Sequence, residues 1–230
     1  MLLIETVLGI SAILALLLVY YSRIHKIRLT ASSGFHVVFV VLIGLGFIFL
    51  EIAFIQKFLL LLGTPIMALT VILFSVLLGS GIGAYLSGRL FNKNPFKAVV
   101  ICIPLLAGIL LAYYLSLQDI ISLNIVLPVN ERIVLTFALL SPVGLLMGFQ
   151  FPSVTRMASA GRASNQDITL LWGVNVISSV IGAVLTTTSS MVIGFNGNIL
   201  IGFGLYLGAL ACAVATTKLS REHIDSQKVV

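Results

Sequence analysis

The chain is written in long apolar runs separated by short polar interruptions. The runs cover residues 2–21, 35–56, 65–87, 97–117, 131–152, 171–193 and 199–217. A helix needs about 20 predominantly apolar residues to cross a bilayer, and each run is near that length. The pattern predicts an all-α fold: a polytopic membrane helix bundle of about seven transmembrane helices. Residues 1–230 read as a single transmembrane domain that ends in a short polar tail, 218–230.

The interruptions carry further expectations. The last two runs are separated by Phe195-Asn196-Gly197-Asn198, a tight turn that predicts an antiparallel hairpin. Residues 118–130 hold Asp119, Pro128 and Asn130 and are expected to form an interfacial loop or short surface helix. The longest loop is expected at 153–170. Pro65 opens the third run after Gly63-Thr64, where a missing amide proton is tolerated. Pro104 is expected to bend the fourth run, Pro142 to kink the fifth and Pro152 to end it.

Composition makes the membrane reading firmer. Hydrophobic residues make up 60% of the chain and charged residues 9%, and the mean hydropathy is +1.20. A soluble domain carries about 25% charged residues, so a soluble fold is excluded. The net charge of +6 is topological and not a nucleic-acid signal. Arg23, Lys26, Arg28, Arg89, Lys93, Lys97, Arg156, Arg162, Lys218, Arg221 and Lys228 fall on one side of the alternating runs. Lys57 and Arg132 fall on the other. The positive-inside rule then places the N-terminus outside and the C-terminus in the cytoplasm. A bacterial or archaeal plasma membrane is the expected location.

The first run imitates a signal peptide poorly. It carries Glu5, and its basic residues follow the apolar stretch, whereas a cleavable signal has them before it. It reads as a retained anchor and first span. Cys102 and Cys212 lie inside apolar runs and read as small core residues. His25, His36 and His223 are scattered without ligand spacing. No metal or cofactor is expected.

Small residues suggest how the helices pack. Gly79 and Gly83 share one helix face, as do Gly144 and Gly148. Such pairs let backbones approach closely in lipid. The second, third, fifth and sixth runs are expected inside the bundle. The first and fourth, rich in Leu and Ile, are expected at its periphery.

The chemistry concentrates on one acid. Glu51 interrupts the apolar helix of the second run, where a charged group costs several kcal/mol unless something answers it. By the topology above, Glu51 shares the outer half of the membrane with Ser75, Thr186, Thr187 and Ser190, and Gln56 lies nearby at the outer end. A hydroxyl-lined pocket around Glu51 is one reading. Hydroxyls returned to their own helix are the other. A second group, Gln150, Arg156, Arg162, Trp172 and Asn175, gathers at the inner face, as a docking surface or as a network capping two helix ends.

These residues carry a resemblance. Gly44 to Glu51, Ile55-Gln56-Lys57, Leu62-Gly63-Thr64-Pro65 and Leu78 to Gly83 are followed in order by Met147 to Pro152, Trp172 to Asn175 and Ser179 to Gly182. Residues 40–205 thereby resemble the membrane region of spermidine-synthase-like integral membrane proteins. In that family the membrane block accompanies a cytosolic aminopropyl- or methyltransferase-like domain. The present chain has no such domain and no cofactor-binding glycine loop. The family's glycine-histidine-proline motif is here Gly63-Thr64-Pro65. The resemblance therefore implies the membrane block without the enzymatic activity.

Three functions follow as expectations. The first is a non-enzymatic membrane protein that binds or transports a small cationic, polyamine-like solute with Glu51 as counter-charge. The second is a scaffold docking a separately encoded cytosolic transferase-like protein at its inner face. The third, ranked last for want of a nucleophile–base pair or metal cluster, is a membrane-embedded enzyme on a lipid substrate. Membrane lipid is the expected partner throughout.

Overall fold

In a computed structural model, residues 31–160 and 165–227 are described, with side chains over 34–160 and 167–215. All regular structure among them is helical: α1 (Ala31–Leu62), α2 (Pro65–Leu90), α3 (Pro95–Asn124), α4 (Val129–Gly148), α5 (Gln150–Ala160) and α6 (Asn165–Gln227). Five helices are long and apolar enough to cross a membrane, α4 and α5 counting as one. The expected number was seven. The first run lies outside the described residues, and the sixth and seventh belong to one helix.

That helix, α6, has 63 residues. Straight, it would extend about 95 Å at 1.5 Å per residue, three times the thickness of a bilayer core. It bends at Gly194, whose φ of 70° and ψ of 176° are accessible essentially to glycine alone. The contacts of α1 reveal the bend. Gly44 packs on Asn175, and Leu45 and Ile48 on Gly182, so α1 runs parallel to the first limb. Gly46 packs on Tyr206 and Leu50 on Gly202, while the Phe35 carbonyl accepts from Cys212. The numbers now fall as those of α1 rise, so α1 is antiparallel to the second limb. The two limbs are therefore the expected hairpin. Its break falls at Gly194, just before the predicted turn, and 195–198 are helical. The second limb continues to Gln227, past the predicted end of the last run at 217.

Asn198 staples the bend. It is fully buried; its amide donates to the Thr186 carbonyl and the Ser190 hydroxyl, and its Oδ1 accepts from Ser189. A buried amide in an apolar setting must be satisfied in this way.

The pair α2 and α4 is built on glycine. An added Cβ at Gly79 would sit 2.4 Å from the Ser141 carbonyl oxygen, and one at Gly83 2.0 Å from that of Leu145. From the other side, Gly144 faces the Val76 carbonyl oxygen at 2.5 Å and Gly148 that of Ser80 at 2.1 Å. The pairs ascend together, so the helices are parallel. The predicted small-residue faces thus meet each other.

Local signals place the remaining boundaries. Thr64 caps α2, accepting from the Met67 amide, with Pro65 in the first turn. Helix α3 runs on to Asn124, leaving only 125–128 as the predicted loop. The fifth run breaks at Phe149 instead of Pro152. Pro152 falls in the first turn of α5, where its missing amide proton costs nothing. Most of the predicted 153–170 loop is helical. Helix α3 is also not peripheral: Val99, Ile103, Leu106 and Leu110 are fully buried. Branched side chains interdigitate as well as glycines close, so a Leu- and Ile-rich helix can line a core.

Candidate functional site

The glycine-closed pair α2–α4 and the sandwich of α1 between the limbs of α6 do not fill the space between them. A cavity of about 570 Å³ lies there. Helix α1 contributes Ile43, Gly44, Phe47 and Ile48; α2 contributes Leu77, Ser80 and Ala84. Met147 and Gly148 come from α4, and Phe151, Pro152 and Thr155 from α5. Trp172, Asn175 and Ser179 of the first limb and Tyr206 of the second complete the wall.

The serine and threonine hydroxyl protons in the wall are already engaged. Ser80 donates to the Leu77 carbonyl, and Thr155 to those of Phe151 and Pro152. Ser179 donates to the carbonyls of Asn175 and Gly44. The Asn175 amide and the Tyr206 hydroxyl make no hydrogen bond among the described residues. Gly44 leaves room for Asn175, since an added Cβ there would meet Asn175 Oδ1 at 2.9 Å. Trp172 stands edge-on to Phe151 with ring centroids 4.6 Å apart.

Glu51 does not line this cavity; it continues an α1 stripe that does. Residues Gly44, Ile48 and Glu51 follow one helix stripe, and the first two are wall residues. Glu51 stands three positions after Ile48, about 4.5 Å along the axis. Glu51 is 9% exposed and makes no hydrogen bond or ion pair among the described residues. Lys57, further along α1, is 8% exposed and donates to Gln118 of α3 at 3.0 Å.

The predicted hydroxyl group behaves differently. Ser75 donates to the Val71 carbonyl, Thr186 to Gly182, Thr187 to Ala183 and Ser190 to Thr186. Each returns to its own helix, and no hydrogen bond joins any of them to Glu51. Thr187 faces outward, and Gln56 is half-buried.

The predicted inner-face group divides. Gln150 is 1% exposed, its amide donating to the Leu146 carbonyl and its Oε1 without a partner. Arg156 turns onto Ser87 near the end of α2, and Ser87 also bonds Ser153. A cation at a helix C-terminus is favourably placed. Trp172, 57% exposed, and Asn175 belong to the cavity wall instead. Arg162 lies outside the described residues.

Sequence reasoning missed Tyr206, Asn198 and the Lys57–Gln118 pair. Tyr206 is flanked by Gly202, Gly204 and Gly208, a signal that space is reserved around a large side chain. Lys57 and Arg132 stood apart from the other basic residues, and both are anchored internally. Arg132 donates to the carbonyls of Leu127 and Leu61, the latter in the last turn of α1.

Comparison with family models, curated proteins and solved structures finds no match to this chain.

Proposed function

We propose that the chain is an integral, non-enzymatic module of a bacterial or archaeal plasma membrane that binds a small cationic solute, with Glu51 as its counter-charge. The observation that carries this reading is a carboxylate nine-tenths buried, without a hydrogen-bond partner among the described residues, on the stripe that lines the cavity. A buried acid of this kind is expensive in hydrocarbon and marks a site when it faces a bundle interior. The wall adds two polar groups, Asn175 and Tyr206, still free to bond. The resemblance of 40–205 to the membrane region of spermidine-synthase-like proteins is a second reason to choose a cation.

The proposed topology has seven crossings. The run 2–21, helices α1 to α3, the α4–α5 unit and the two limbs of α6 supply them. The asymmetry of basic residues sets the N-terminus outside. The parallel directions of α2 with α4, and of α1 with the first limb, support the alternation this requires.

The test is Glu51→Gln in the full chain, purified in lipid nanodiscs. Binding of an alkylammonium ion, read by calorimetry, should weaken at least tenfold, about 1.4 kcal/mol. Unchanged affinity in a variant with native helicity would sink the counter-charge role.

A further inference from the structure

We infer that the solute is an amphipathic monocation, with one ammonium head and an apolar, aromatic-sized body. The inference rests on the proposed role of Glu51 and narrows its ligand. The polar inventory of the cavity decides the class. Ser80, Thr155 and Ser179 have given their protons to backbone carbonyls. Their oxygens keep lone pairs for a donor, as do the Asn175 amide and the Tyr206 phenol, but none of these groups carries a charge, in a wall that includes Phe47, Phe151 and Trp172. No Asp or Glu lines the cavity, and the one carboxylate on the lining stripe of α1 is Glu51.

A linear polyamine presents several ammonium groups. Its first would meet Glu51. The others would lie against apolar walls, stripped of water with no anion opposite, a cost of several kcal/mol each. A monocation leaves no such charge. Its head is neutralised at Glu51, its body fills the space between Phe47 and Phe151, and a hydroxyl or carbonyl on it can reach Asn175. The volume of 570 Å³ falls within the roughly 300–1,000 Å³ of small-molecule sites.

The chain supplies its own reporter, because Trp172 is the single tryptophan and lines the cavity. The experiment titrates the full chain in nanodiscs with 3-phenylpropylamine, its neutral analogue 3-phenylpropanol, and spermidine, following Trp172 fluorescence. The expected result is a saturable response to the amine, with the alcohol and spermidine each at least tenfold weaker. In Glu51→Gln the amine should fall to the level of the alcohol. Ala84→Phe, which fills the cavity from α2, should abolish the response to both; a surviving response would put binding elsewhere and overturn the inference. Spermidine binding as tightly as the amine, still dependent on Glu51, would overturn the monocation class and leave the counter-charge reading standing. Amine and alcohol binding equally to the wild-type chain would overturn both, without needing the Glu51 variant to fold. A wild-type chain giving no saturable response to any of the three would also overturn both.

Discussion

Gly83→Ala is the sharpest test of how the helices are held together. The new Cβ would stand 2.0 Å from the Leu145 carbonyl oxygen, where ordinary contact begins at 3.4 Å. The obstacle is backbone, so no side chain can swing aside, and α2 must withdraw from α4. A radial gap of about 0.5–1 Å already forfeits a quarter to a half of each dispersion contact. Overpacking of this kind costs about 1–3 kcal/mol. For a chain of this size each kcal/mol moves Tm by about 2–4 °C, so a fall of roughly 2–12 °C is expected. The control is Gly81→Ala on the same helix, where the added Cβ meets nothing within 4 Å. That change should leave Tm unchanged or raise it slightly, since Ala favours a helix over Gly by about 1 kcal/mol. Melting is read in detergent with a thiol-reactive fluorophore in a Cys212→Ser background, because Cys212 is only partly buried whereas Cys102 is buried and becomes reactive on unfolding. Adding Gly79→Ala to Gly83→Ala should cost less than the sum of the two, since the helices are already parted. Equal effects of Gly81→Ala and Gly83→Ala, or none from either, would refute the close crossing.

Two further outcomes follow from the buried polar groups. Asn198→Ala removes all three bonds that staple the limbs of α6; at about 0.6 kcal/mol for each interhelical bond in a membrane protein, a loss of roughly 2 kcal/mol is expected. Amide exchange should rise at 186–190, and protection equal to wild type there would show that the staple does not hold the bend. At the Lys57–Gln118 pair, Gln118→Leu strands a buried ammonium and should lower Tm by more than the double change Lys57→Met with Gln118→Leu, which removes both partners. A double variant less stable than the single would refute the cost of the stranded ammonium.

The features legible from the sequence were those written along one helix. Apolar length predicted helices that can cross a membrane. Thr64-Pro65 marked the start of α2, and the spacing of Gly79, Gly83, Gly144 and Gly148 marked two faces able to close together. The turn residues near 195 predicted the hairpin within one residue of Gly194. Each signal is local, because capping, backbone freedom and apolar length act within a few turns.

Only the tertiary structure decided which face meets which. In water a helix announces its buried side by amphipathicity; in hydrocarbon both sides are apolar, and that mark is lost. Nothing along α1 distinguishes the stripe of Gly44, Ile48 and Glu51, beside the cavity, from the side of Lys57 that reaches Gln118. The hydroxyls of Thr186, Thr187, Thr188 and Ser190 donate back to their own limb, while Ser189 donates across the bend to Asn198. Trp172 and Asn175 look like partners of Arg156 in the sequence, but Arg156 turns onto Ser87 while they join Gly44 and Tyr206. Glycine spacing states that backbones approach, and only the assembled bundle shows where the approach leaves room.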